Sequence, residues 1–237
     1  MRSLDIAQMI DHALLHPTLR EAQLIAGCEM AKKYQFASVC IKPYAVSLAA
    51  KALQDSAVKV CTVIGFPHGN HDSGVKAFET EAAVKQGAQE IDMVVNIGKV
   101  LDEHWGYVRA DILAVHEVCK HHGALLKVIF ENAFLPKDHH KIRLCEICSD
   151  LEVDFVKTST GFGFVKDEAG EIMSIGARDH DLILMRNHSS EKVKIKASGG
   201  IRNLEDALRV RKLGADRIGA SASAKIVEEA ILRFDTY

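Results

Sequence analysis

Short apolar runs rich in β-branched residues recur along the chain, at 9–15 (MIDHALL), 37–41 (ASVCI), 58–64 (VKVCTVI), 90–97 (EIDMVVNI), 124–131 (ALLKVIFE), 154–160 (DFVKTST), 193–199 (VKIKASG) and 215–221 (ADRIGAS). Between them lie Ala-, Glu- and Lys-rich stretches with helical amphipathic spacing, such as 73–87 (SGVKAFETEAAVKQG) and 203–214 (NLEDALRVRKLG). Several of these close on a glycine, where a helix C-terminus favours a left-handed residue. Eight strands alternating with helices at intervals of roughly 20–40 residues predict a (β/α)8 barrel. The first strand carries the weakest signal, being short and polar. A doubly wound open sheet is the structural alternative, but no GxGxxG follows the first strong strand. No Gly/Ser-rich linker divides the chain and only four prolines occur, so residues 1–237 are read as one domain.

Barrel strands are buried on both faces, so a charge within one is costly unless it is paired or functional. Four stand out: Asp92 in EIDMVV, Lys127 in LLKVIF, Lys157 in FVKTST and Lys196 in KIKAS. Each has apolar neighbours on both sides, so side-chain alternation directs it into the barrel. One aspartate serving one lysine would leave two positive charges in excess, which a purely structural core disfavours. Three lysines around one aspartate suit amine catalysis. A free lysine, with a pKa of about 10.4, is neutral in about one molecule in 2,500 at pH 7. Desolvation and a neighbouring ammonium both favour the neutral, nucleophilic form. Lys157 and Lys196 fall at similar heights on strands read as adjacent, so one could form an imine while the other keeps it deprotonated. Asp92 is the candidate proton carrier, through a water. The spacing does not say which lysine is the nucleophile.

The segment after the seventh strand, Ser198-Gly199-Gly200-Ile201-Arg202-Asn203, leads into a helix near Leu204. The eighth strand is followed by Gly219-Ala220-Ser221-Ala222-Ser223 and KIVEEAIL. Glycines let the backbone approach an oxyanion, and helix N-termini point free N–H groups at it. The loops after strands seven and eight are where this fold most often holds a phosphate. Ser221 and Arg202 could add a hydroxyl and a charge.

Composition narrows the classes. The formal net charge is -2 with Lys and Arg scattered, which disfavours nucleic-acid binding. No run approaches about 18 apolar residues, as a membrane span requires, and the N-terminus lacks secretory features. A cytoplasmic location is the expectation. Of six cysteines, most lie in apolar periodic segments, as buried reduced thiols do. Cys145 and Cys148 form a CxxC with no second half, inside a helical run. The pairs His121-His122 and His139-His140 read as solvated surface histidines.

The segments IDHALL, VCIKP, TVIGFPHG, EIDMVVNIG, LKVIFE, FVKTSTGFG, VKIKASGGIR and GADRIGAS resemble, in order and spacing, the deoxyribose-phosphate aldolases. The likeness covers nearly the whole chain, from about residue 8 to about residue 228. It implies a metal-independent lyase, needing no cofactor, that reversibly cleaves 2-deoxy-D-ribose 5-phosphate to acetaldehyde and D-glyceraldehyde 3-phosphate in deoxynucleoside catabolism. By that resemblance Lys157 is the Schiff-base nucleophile, Lys196 its pKa-lowering partner and Asp92 the proton relay. Asp11 and Lys127 would assist hydroxyl recognition and the charge network. Thr160, Gly161, Gly199, Gly200, Arg202, Gly219 and Ser221 would complete the substrate site, with no metal. The partner is a small sugar phosphate, and a homodimer or homotetramer is possible. The chain departs from the pattern at Ala13, where a Thr is usual, at Ala222, where a Ser is usual, at Asn132, and in a longer stretch over 164–178. These put substrate preference in doubt, not chemistry. The terminal Tyr237 could belong to a tail reaching the site. The rival readings are a sugar-phosphate isomerase or epimerase on the same barrel, a related aldolase of altered preference, and a non-catalytic sugar-phosphate sensor.

Overall fold

In the computed structural model, which describes residues 1–166 and 169–235, eight parallel strands close into a barrel: β1 (Ile10–Leu14), β2 (Ser38–Ile41), β3 (Lys59–Ile64), β4 (Glu90–Val94), β5 (Leu125–Ile129), β6 (Phe155–Lys157), β9 (Lys194–Ser198) and β10 (Arg217–Ala220). These are the eight predicted strands. Neighbours in sequence are neighbours in the wall, and β10 closes on β1. The open-sheet alternative is thereby excluded. The stretch over 164–178, expected only to be long, contains an antiparallel hairpin of β7 (Phe164–Lys166) and β8 (Ile172–Ser174) outside the barrel.

Alternation along each strand separates two interiors. Outward residues such as Val39, Ile91, Met93, Leu126, Val128, Val156, Ile195 and Ile218 form the main core with the helices. The inward set is different: Asp11, Cys40, Cys61, Glu90, Asp92, Lys127, Lys157 and Lys196 are all buried. Where such barrels usually fill the centre with Val, Ile and Leu, this one holds charge.

The helical layer comprises α1 (Ser3–Ala7), α2 (Glu21–Tyr34), α3 (Val46–Leu53), α4 (Ser73–Lys85), α5 (Ile97–Leu101), α6 (Trp105–His122), α7 (Asp138–Asp150), α8 (Asp179–His188), α9 (Leu204–Lys212) and α10 (Ser223–Phe234). Local chemistry sets several of their ends. Asp72 accepts from Gly74 N to cap α4, Asn203 accepts from Asp206 N to cap α9, and Gly123 ends α6 at φ 68°; each satisfies backbone groups the helix leaves free. Two buried lysines staple helices in pairs. Lys76 of α4 bonds Asp111 of α6 at 2.6 Å, and Lys141 of α7 bonds Asp181 of α8 at 2.8 Å. Neither lysine stands out in the sequence, because an amphipathic helix normally carries lysines on its wet face. Among the described residues, no helix is long and apolar enough to cross a membrane.

Candidate active site

The inward charges meet in one network. Asp92 Oδ2 accepts from Lys157 Nζ and Lys196 Nζ, each at 2.7 Å, so the two ammonium groups crowd a single oxygen. Its Oδ1 accepts from Lys127 at 2.9 Å and lies 3.2 Å from the Cys61 thiol. Sheet register explains the convergence: Asp92 pairs with Lys127 across β4–β5, and Lys157 pairs with Lys196 across β6–β9. The placement of both lysines on adjacent strands, inward and at one height, agrees with the sequence expectation.

The expected charge excess needs correction. Asp11 Oδ2 takes Lys196 at 2.5 Å, and Glu90 takes Lys127 at 2.7 Å and Arg217 at 2.9 Å. Arg217 also pairs with Asp11. Four cations therefore face three carboxylates, leaving one positive charge in excess rather than two. Glu90 and Arg217 share the inward parity of Asp92 and Lys196 and fall within the predicted strand runs 90–97 and 215–221, so both were legible by the same alternation. The lysines differ in how firmly they are held. Among the described residues Lys127 has ion-pair contacts to Asp11, Glu90 and Asp92, and Lys196 to Asp11 and Asp92, whereas Lys157 has only Asp92. Burial alone would lower the pKa of Lys127 and of Lys196, but the surrounding carboxylates outweigh it and raise both. Burial would raise the pKa of Asp92, yet Lys127, Lys157 and Lys196 hold it well below the carboxylate range, and Asp11 is depressed likewise by Lys196, Lys127 and Arg217.

A cavity of about 340 Å³ opens above this network, at the C-terminal ends of the strands. Asp11, Lys157 and Lys196 form its floor, and Gly161, Gly199, Gly200, Arg202, Gly219 and Ser221 its far wall. This is the face where such barrels carry their sites. Gly199 and Gly200 have φ of 88° and 78°, a region a side chain rarely adopts, and a Cβ at Gly219 would lie 2.9 Å from Ser198 and 3.4 Å from the stem of Lys196. A hollow of similar size at the opposite end, around Ala50, Gln54, Lys59 and Gln89, has no such cluster.

Not every predicted residue faces the cavity. Lys127 and Asp92 are fully buried and absent from the lining; beyond the charge network Lys127 touches the Cys61 thiol at 3.3 Å and the Phe155 ring. Thr160 lines the cavity, but its hydroxyl donates to Glu131, which also accepts from Thr160 N at 3.1 Å. Glu131, in a left-handed conformation (φ 55°), thus pins the turn after β6. Burial pushes its pKa up, against the Thr160 hydrogen bonds and the Lys157 charge that lower it. Residues without a predicted role also line it, notably His16, Phe162 and, from the hairpin, Ser174. Ala13 lines the cavity and Ala222 does not. Inward-facing Cys40 and Cys61 are Cα partners across β2–β3, with sulfurs 3.7 Å apart. All six cysteines are free and buried, in accord with reduced thiols. His140, expected at the surface, is buried against Trp105. Tyr237 lies outside the described residues.

Comparison with known proteins adds an independent line. Residues 6–227 match the model of a family described as DeoC/LacD family aldolase. Deoxyribose-phosphate aldolase of Rhodopirellula baltica is 50% identical over 226 residues, which is 95% of this chain and 89% of that protein. The Clostridium tetani enzyme of the same name is 46% identical over 96% of this chain and the whole of its own length. Among solved structures, the tetrameric deoxyribose phosphate aldolase of Aeropyrum pernix superposes with a TM-score of 0.84 at 29% identity, over 95% of this chain and 91% of that one.

Proposed function

The chain belongs to the DeoC/LacD family of aldolases, which makes it a lyase, and on that premise we propose that it reversibly cleaves 2-deoxy-D-ribose 5-phosphate to acetaldehyde and D-glyceraldehyde 3-phosphate through an imine on Lys157. The observation that carries this reading is the pair of lysines sharing one Asp92 oxygen beneath a cavity whose far wall is glycine-rich. Structural lysines elsewhere answer to carboxylates of their own: Lys76 has Asp111, and Lys141 has Asp138 and Asp181. In the barrel, two ammonium groups divide one oxygen, which suits a group that must release a proton.

Lys157 is the best candidate for the nucleophile because it faces the cavity and has a single ion-pair partner among the described residues. Its neutral amine adds to the substrate aldehyde carbon, and the carbinolamine hydroxyl, taking up a proton delivered by the relay, leaves as water to give the iminium. With the nitrogen positive, the C2–C3 bond electrons flow into it as the C3 hydroxyl loses its proton, releasing glyceraldehyde 3-phosphate and leaving an enamine. Protonation at C2 and hydrolysis then release acetaldehyde and free Lys157. Asp92, touching Lys157 and Lys196, can pass protons between them and a water at the reacting carbon. Lys196, kept cationic by Asp11 and Asp92, sets a fixed positive charge beside Lys157 on the shared Asp92 oxygen. The backbone of Gly199, Gly200 and Gly161, with Ser221 and Arg202, suits the phosphate.

A coupled assay for glyceraldehyde 3-phosphate, run with 2-deoxyribose 5-phosphate and with a chelator present, tests the reaction. Product formed equally with and without the chelator supports it. Full activity in Lys157→Ala would overturn the assigned nucleophile. A catabolic role and a cytoplasmic location accord with this chemistry. Self-association, which the A. pernix relative shows as a tetramer, is read for this chain by sedimentation.

A further inference from the structure

Glu103, His139 and His140 take no part in the barrel network. Glu103 stands in the turn between α5 and α6, in a left-handed backbone conformation (φ 54°), and the histidines occupy the first turn of α7. Both segments follow barrel strands, β4 and β5, at their C-terminal ends. His139 Nε2 lies 2.9 Å from Glu103 Oε1, and His140 Nε2 lies 3.6 Å from the same oxygen. The imidazole rings are 4.1 Å apart at their centres. The His140 side chain is only 4% exposed, yet neither ring nitrogen has a hydrogen-bond partner among the described residues. A buried polar group left in that condition is costly.

We propose that Glu103, His139 and His140 form a binding site for a divalent transition-metal ion of the zinc class, with water as the fourth ligand. One carboxylate and two imidazoles are a donor set that zinc accepts, at metal–ligand distances of about 2.0–2.2 Å. Ligand atoms at that distance around a tetrahedron stand about 3.3 Å from each other, and the two nitrogen–oxygen separations here fall on either side of it. All three ligand atoms lie within 4.8 Å of one another. Charge also favours this cluster over the alternatives. Among the described residues, the only ion-pair partners of Glu103 are these two histidines. The Cys40–Cys61–Asp92 group has its carboxylate occupied by three lysines, and the Asp138–His180–Asp181 group is answered by Lys141 and Arg178. A bound ion would clasp the α5–α6 turn to α7.

Trp105, the chain's one tryptophan, packs against His140 with ring centres 6.2 Å apart, so its fluorescence reports on the site. Co2+ titrated into the full-length protein is expected to quench that fluorescence with 1:1 saturation, and Zn2+ to restore it by displacement. His139, half exposed, can be replaced without disturbing the fold. His139→Ala and Glu103→Gln are each expected to weaken Co2+ binding at least tenfold, while His180→Ala leaves it unchanged. Saturating Zn2+ raises the Tm of the wild type and not of His139→Ala. No saturable quenching below millimolar Co2+ would overturn the proposal. So would quenching that persists in both His139→Ala and Glu103→Gln, or that is lost in His180→Ala.

Discussion

Replacing Asp92 with Asn keeps its shape and removes one charge from the centre of the barrel. In the wild type that carboxylate has two ammonium groups at 2.7 Å and a third at 2.9 Å. At an effective dielectric constant of about 20, a unit pair at this separation attracts by about 6 kcal/mol. Three such contacts are opposed by the cost of burying the ions, and removing one partner from a buried pair typically destabilises by about 3–5 kcal/mol. That is a large part of the roughly 5–15 kcal/mol by which a domain is stable. With a slope of about 2–3 kcal/mol per molar urea, the unfolding midpoint should fall by about 1–2 M. The pH dependence is the sharper test. In the variant four cations face two carboxylates, so one lysine should lose its proton in the folded state while keeping it in the unfolded chain. The unfolded state then binds more protons, and stability should rise with pH between about 7 and 10. That rise should be steeper in the variant than in the wild type. There Lys127 and Lys196 are raised, so their contribution is fully present below the unfolded lysine pKa and is lost only as pH climbs through the folded value. Cleavage should slow by about 10²–10⁴-fold through loss of proton transfer. An unchanged midpoint with no change in pH slope would refute the reasoning.

The same network fixes the acid limb. Asp11 and Asp92 are depressed in the folded state, so the stability they confer is present above about pH 4 and lost as pH falls below it; Lys196→Met should flatten that loss in acid titrations followed by circular dichroism. Glu131→Ala leaves the Thr160 N–H and hydroxyl without their acceptor, at a cost of about 1–3 kcal/mol. It should raise KM for the phosphorylated sugar several-fold while borohydride still traps acetaldehyde on the enzyme; an unchanged KM would exclude Glu131 as an anchor of the loop. A Cβ on Gly176 would collide with the carbonyl of Gly199, so Gly176→Ala should also raise KM several-fold. Gly106→Ala, with open space around it, should leave KM unaltered, and equal effects of the two in steady-state kinetics would count against the hairpin supporting the phosphate end.

Strand parity made the barrel and its lysines legible, because a charge flanked by apolar residues in a buried strand has one direction to face. The same rule reached Glu90 but was not applied at a strand's first residue, where polarity reads as an entry turn. Asp11 came from family resemblance, since β1 is short and polar. The β7–β8 hairpin escaped notice because its three-residue strands are largely exposed and carry no alternation to detect. His140 was misread for a geometric reason: consecutive residues on a helix point about 100° apart, so of two adjacent histidines one can face solvent while the other faces inward. Lys76 and Lys141 were missed because the buried carboxylates that hold them, Asp111 and Asp181, lie on other helices.

The central claim is that Lys157 carries the imine. Adding acetaldehyde and then borohydride to the wild-type protein should fix a two-carbon adduct, and peptide mapping should place it on Lys157, with none formed in Lys157→Ala. An adduct mapping instead to Lys196 or Lys127, or none at all in an enzyme that still cleaves its substrate, would contradict the account.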